Sequence, residues 1–207
     1  MRHALITSFS VVIALSLCLP AHAQFRPDRP QIRQGTLKDG DSAPDFTLKD
    51  VDGKNEVKLA DLKGKPVVLI FGSCTCPPFV SSMKAIEKLH AAYKEKVHFL
   101  VIYIKEAHPT DGRVQPGNDF EVKSPKTDEE RREIAKEFAR RLKVSIPILV
   151  DAIDDKVEKA YACWPNRLYI LDGEGKIADK GAAGPRGTTT SASKAAGVLD
   201  KLLKPAE

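Results

Sequence analysis

An α/β domain with a mixed central sheet flanked by helices is the fold the sequence predicts. Three observations carry that expectation. Short apolar runs alternate with segments of helical period, a continuous apolar run at 67–71 has the character of a strand buried on both faces, and a Gly/Asp turn near the start separates two alternating segments. The 207 residues are 42% hydrophobic and 29% charged, enough apolar content for a core and too little polar bias for a disordered chain. A formal charge of +5 is spread without a dense basic block, which argues against nucleic acid as a partner.

Residues 1–23 are expected to be an export signal. Arg2 and His3 precede an apolar run from Ala4 to Leu19, and Ala21-His22-Ala23 is a small-x-small cleavage motif. The run has about 16 residues against the roughly 20 that a spanning helix needs. The mature protein is therefore expected to be periplasmic or secreted. Residues 24–39 are polar, contain Pro27 and Pro30 and lack periodicity, so they are expected to be a flexible linker, with the domain proper at 40–207. Cys18 leaves with the signal, and Cys74, Cys76 and Cys163 remain. An odd number of cysteines in an oxidising compartment points to a working thiol.

Within the domain, 45–48 and 57–59 flank Asp52-Gly53 as an N-terminal hairpin. Val67–Phe71 is the central strand. Met83, Ile86, Leu89 and Tyr93 recur at spacings of three and four, which predicts a helix over 78–94, and a strand follows at 97–104. Residues 106–124 lack periodicity, and a loop of that length is often functional. Thr127-Asp128-Glu129-Glu130 is a capping box opening a helix through Leu142. Residues 148–150, 168–171 and 176–178 read as strands, the last two around the turn 172–175, and a closing helix is expected over 193–203.

The chemistry concentrates at the carboxyl end of the central strand, in Gly72-Ser73-Cys74-Thr75-Cys76-Pro77-Pro78-Phe79. A cysteine between a strand and a helix start meets unpaired N–H groups and the positive end of the helix dipole, which favour the thiolate. Because Pro77 and Pro78 lack N–H groups, the donors reaching Cys76 are expected from Phe79 onward. Cys74, two residues earlier, could trap an oxidised Cys76 by exchange. The same pair, with an imidazole such as His108, could instead clamp copper(I), and Cys76 could be a buried inert thiol. Cys163 reads either as a core residue or as a third thiol near the site.

This segment, together with Tyr103-Ile104-Lys105-Glu106-Ala107-His108-Pro109-Thr110-Asp111-Gly112, resembles the iodothyronine deiodinase family over about residues 44–187. It also resembles, more loosely, the thioredoxin-like redoxins, although Phe79 stands where a dithiol oxidoreductase has its second cysteine. The resemblance implies a thioredoxin-like fold. It implies that Cys76, matching a position typically occupied by selenocysteine, is the nucleophile that takes iodine, and that Cys74 helps to regenerate it. It further implies that His108 and Glu106 bind the phenolic substrate and handle protons, that Arg167 sits opposite His108 as a substrate clamp, and that Tyr103 lies among the substrate-binding residues. An iodinated phenol or other small molecule and a thiol reductant would be the partners, with no bound cofactor or metal, and a homodimer the assembly. The chemistry fits these residue types, because removing iodine as a positive equivalent needs a soft nucleophile and a proton for the ring carbon. A low-pKa exported cysteine could also attack peroxide, which keeps a thiol peroxidase as the enzymatic alternative and a copper-binding thioredoxin-like protein as the non-enzymatic one.

Overall fold

A computed structural model describes residues 32–204, so the expected signal 1–23 and residues 24–31 of the expected linker lie outside the described residues. Seven strands form one sheet in the order β2-β1-β5-β4-β3-β6-β7. The N-terminal hairpin is β1 (Thr47–Asp50) and β2 (Glu56–Lys58), paired antiparallel with Thr47 opposite Lys58. Gly53 turns between them at a φ of 68°, which a side chain would resist. The hairpin joins the sheet through β1 and β5 (Ile148–Val150). The central strand β3 (Val67–Gly72) is buried at all six positions, as its continuous apolar run requires. It pairs parallel with β4 (His98–Tyr103) and antiparallel with β6 (Arg167–Leu171), which pairs in turn with β7 (Ile177–Lys180).

Helices cover both faces. Helix α1 (Pro77–Tyr93) turns Met83, Ile86 and Leu89 into one core with Val68, Ile70 and Val101, together with Phe138 of α2 (Asp128–Leu142) and Leu199 of α4 (Gly187–Leu202). The other core holds Leu69, Phe71, Ile102, Tyr169, Cys163 and Tyr161 of α3 (Lys156–Tyr161), against which Leu37 packs. Alternation along the strands divides the two sets. Gly72 lets α1 seat directly on the end of β3, since a Cβ there would lie 2.2 Å from the Phe79 ring.

Helix α2 begins as the capping box requires, with Thr127 Oγ1 accepting from the Glu130 N–H at 3.1 Å. Helix α3 has no counterpart among the expected elements, and α4 begins earlier than expected. Helix α3 has no N-cap side chain of its own, and its first N–H groups are taken by the Asp151 carboxylate, which accepts from Val157 at 3.3 Å and Glu158 at 2.8 Å. Helix α4 starts at Gly187 rather than near 193, because Asn166 Oδ1 accepts from the Thr188 N–H at 2.9 Å. The α4 cap comes from a residue 22 positions earlier and leaves no local signature, whereas Asp151 lies only six and seven positions before the N–H groups it caps.

Residues 32–41 run along the edge of the domain as a tied strap. Lys180 Nζ donates to Gln34 O and Leu37 O, both at 2.6 Å, and the Gly40 N–H donates to Ile177 O at 2.8 Å. The described part of the expected linker is thus held to β7.

Candidate functional site

The cysteine loop lies between β3 and α1, at the carboxyl end of the sheet. Cys76 is the N-cap residue of α1 in extended backbone, with Pro77 and Pro78 occupying the first helical positions, where a missing N–H costs nothing. Its sulfur is 2% exposed as part of the residue and faces two donors: the Phe79 N–H, where the proline argument placed it, and Asn166 Nδ2 at 3.1 Å. Burial pushes the Cys76 thiol above its ordinary pKa, while the Phe79 and Asn166 donors pull it back. The expectation of a lowered pKa is therefore corrected. The helix-start donors are present, and desolvation outweighs them.

Cys74 has the opposite surroundings. Its thiol donates to Glu106 Oε2 at 3.7 Å, and burial followed by the Glu106 charge pushes it well above the usual thiol range. Both cysteines are free thiols. Among the described residues no group of three or more His, Cys, Asp and Glu side chains is placed to hold a metal ion.

Glu106 organises the loop from beneath. Its carboxylate accepts from Thr75 Oγ1 at 2.5 Å, the Thr75 N–H at 3.3 Å and Tyr103 Oη at 2.6 Å. Tyr103 Oη in turn accepts from the Cys74 N–H at 3.1 Å. Burial raises the Glu106 pKa against the pull of these donors. Tyr103 is fully buried and its hydroxyl is committed to this network. His108 is partly buried; its N–H donates to Thr75 Oγ1 at 3.2 Å, and its ring Nδ1 lies 3.0 Å from Arg113 O. A carbonyl only accepts, so Nδ1 carries the proton and Nε2 is the nitrogen left for proton exchange. Cys74, Cys76, Tyr103, Glu106 and His108 are thus brought together around Thr75.

Arg167 lies elsewhere. It opens β6 beside Phe71 and shares a sheet face with Tyr169, opposite the face that packs Cys74 and Cys76. Its buried guanidinium donates to Gln34 O at 3.0 Å, Arg33 O at 3.2 Å and Tyr169 Oη at 3.4 Å, and Nε has no partner among the described residues. None of these bonds reaches His108, so the expected Arg167–His108 clamp is not formed in this structure. Cys163 is buried on that same far face and donates to Glu158 O at 3.6 Å, which makes it a core residue apart from the cysteine loop.

Two positions of the cysteine site lacked a sequence argument. Thr75, between the cysteines, and Asn166, between Pro165 and Arg167, are buried polar residues; small polar residues close to a proline at the ends of apolar strands are the signal that could have marked them. Trp164 Nε1 donates to Glu106 O at 3.4 Å, tying the Asn166 segment to the Glu106 loop. Gly184 admits the following turn against Pro165, where a Cβ would come within 2.6 Å.

Comparison with known proteins agrees with this architecture. The thioredoxin domain of a thiol-disulfide oxidoreductase from Bacteroides vulgatus superposes with a TM-score of 0.54 at 22% identity, covering 76% of this chain and 98% of that one. A secreted Mycobacterium tuberculosis disulfide oxidoreductase homologous to E. coli DsbE gives 0.52 at 19% identity, over 76% of this chain and 96% of that one. The fold is thioredoxin-like. In sequence, the thyroxine 5-deiodinase of Ovis aries is 37% identical over 130 residues, 61% of this chain and 43% of that protein. That of Homo sapiens is 36% identical over 130 residues, 61% of this chain and 41% of that protein. The chain therefore spans less than half the length of these relatives. The profile of the iodothyronine deiodinase family matches residues 29–202, and the chain belongs to that oxidoreductase family.

Proposed function

We propose that the protein is an exported thiol-dependent reductive dehalogenase of iodinated phenols, with Cys76 as its nucleophile. The observation that carries this reading is the Cys76 sulfur at the head of α1, faced by the Phe79 N–H and the Asn166 amide, in a chain of the deiodinase family. The Cys76 thiolate attacks iodine, and the carbon–iodine bond breaks with its electron pair passing to the ring carbon. That carbon takes a proton from Nε2 of protonated His108, leaving a sulfenyl iodide on Cys76. A thiol, from Cys74 or an external reductant, displaces iodide and forms a disulfide with Cys76. A second thiol then restores Cys76, so one dithiol is oxidised for each iodine removed. Glu106 and Tyr103 hold Cys74 and Thr75 in place for this sequence.

Export is proposed from the charge and apolar pattern of residues 1–23; among the described residues no helix is long and apolar enough to cross a membrane. The reductant is an external thiol, and the assembly is a homodimer by family likeness.

The test is iodide release from an iodothyronine by the purified protein with excess dithiol, beside Cys76→Ala and Cys74→Ala. Release should vanish in Cys76→Ala and persist in Cys74→Ala, because dithiol bypasses the internal thiol. Full activity in Cys76→Ala would overturn the assignment. Absence of iodide release, with stoichiometric peroxide consumption and one added oxygen on Cys76, would make the protein a thiol peroxidase instead.

A further inference from the structure

We infer that Asn166 is the positioning residue that holds the Cys76 sulfur in its reactive, proton-accepting state, and that Thr188 fixes Asn166 in the orientation this needs. Asn166 is fully buried and all four of its hydrogen-bonding capacities are used. Its Oδ1 accepts from the Thr188 N–H at 2.9 Å and from Thr188 Oγ1 at 2.8 Å. Its Nδ2 donates to Pro185 O at 3.0 Å and to Cys76 Sγ at 3.1 Å. The backbone partners remove any ambiguity in the amide, since an N–H can only donate and a carbonyl can only accept. A flipped amide would set its NH2 against the Thr188 N–H and its oxygen against Pro185 O. The nitrogen is therefore obliged to face the sulfur.

Thr188 is 0% exposed and lies in the first turn of α4, so two elements distant in sequence, β6 and α4, converge on Cys76 through one amide. From α1 comes the Phe79 N–H, and from the loop after β4 comes the Glu106 charge, which opposes the thiolate. Asn166 supplies the side-chain donor that offsets that charge. Unlike the thiol of Cys74, which points at a carboxylate acceptor, the sulfur of Cys76 is thereby assigned the acceptor role. The inference rests only on Cys76 working as a thiolate, a feature that deiodination and peroxide reduction share, so it can fail or stand independently of the substrate.

The test follows the 13Cβ shift of Cys76 by NMR across its ionisation, assigned with Cys76→Ala and recorded without substrate. Losing a hydrogen bond to a charged group should raise the midpoint in Asn166→Ala by about 1–2 pH units. Asn166→Asp keeps both Thr188 bonds but sets a carboxylate oxygen against the sulfur, and should raise it further. Thr188→Ser, which keeps both donors, should leave it within about 0.3 units. Below the midpoint, each unit of rise cuts the thiolate about tenfold while strengthening it as a nucleophile roughly threefold, so single-turnover rates in Asn166→Ala should fall about three- to fifteenfold over that range. Midpoints within about 0.3 units of wild type in the folded Asn166→Asp protein would overturn the inference, whether or not Asn166→Ala folds. A midpoint lowered by Asn166→Asp would overturn it equally.

Discussion

Replacing Arg167 by methionine keeps the volume of the side chain and removes a guanidinium that is 0% exposed and has no carboxylate among its described hydrogen-bond partners. Two of its three donated bonds go to the strap, to Gln34 O at 3.0 Å and Arg33 O at 3.2 Å. Bonds from a charged donor contribute about 1.5–3 kcal/mol each, and at these lengths the lower figure applies, giving about 3 kcal/mol for the pair. That loss should raise the population in which the strap has lifted by about two orders of magnitude. Global stability should change far less, by about 1 kcal/mol in either direction, because the variant also avoids burying a charge without an ionic partner.

Trypsin reads the first quantity directly. The Arg33 side chain is 58% exposed, while its carbonyl, at the bond trypsin would cut, is tied to Arg167. When the strap opens and closes faster than it is cut, the cleavage rate follows the open population. Cleavage after Arg33 should accelerate roughly 100-fold in Arg167→Met. Lys180→Met, which removes the bonds to Gln34 O and Leu37 O, should accelerate it as well. Urea unfolding reads the second quantity. An unchanged cleavage rate with a global loss above about 3 kcal/mol would refute the latch and make Arg167 a pillar of the core.

Three further outcomes follow from the same geometry. Glu106→Gln leaves one oxygen where the carboxylate's two oxygens meet donors from Thr75, Tyr103 and Cys74, and turns an NH2 toward one of them; urea unfolding should show a loss of about 1–3 kcal/mol with m unchanged. Burial raises Asp151 from 3.8 to about 6, so the stability it lends is complete below 3.8, where it is protonated folded and unfolded alike, and is lost as pH rises through 6. Relative to wild type, Asp151→Asn should therefore gain about 2–3 kcal/mol between pH 4 and pH 7.5, and parallel stability curves for the two proteins would contradict this. Gly72→Ala drives a methyl into the Phe79 ring, which should cost about 1–3 kcal/mol by urea unfolding and shift the Cys76 13Cβ resonance as the head of α1 moves.

The strands and long helices were legible because their signals are local: six consecutive buried positions in β3, apolar spacing in α1, the Thr127 capping box in α2. Cys76 was legible for the same reason, lying between an apolar run and two prolines. What could not be read locally was supplied from a distance. The cap of α4 comes from Asn166, 22 residues earlier in the chain. The face on which Arg167 points depends on β6 alternation and on a strap more than 130 residues earlier in the chain. The Cys76 pKa required the balance between desolvation and donors, and of these only the Phe79 N–H has a sequence signature.

Two cysteines separated by one residue thus acquire opposite chemistry because the loop that carries them turns each sulfur toward a different element. Cys74 meets the Glu106 carboxylate after β4, which holds its proton; Cys76 meets the Asn166 amide at the head of β6 and the Phe79 N–H of α1, which favour releasing it. Both are buried, so burial alone cannot distinguish them, and the asymmetry lies in the nearness of the Glu106 charge to Cys74 and in the donors that face Cys76. Thr75 between them secures that arrangement, because its hydroxyl donates to Glu106 while accepting from the Ala107 and His108 N–H groups. A sulfur turned toward donors and a thiol turned toward a carboxylate can therefore share one turn of chain, provided that β4, β6 and α1 keep their present register.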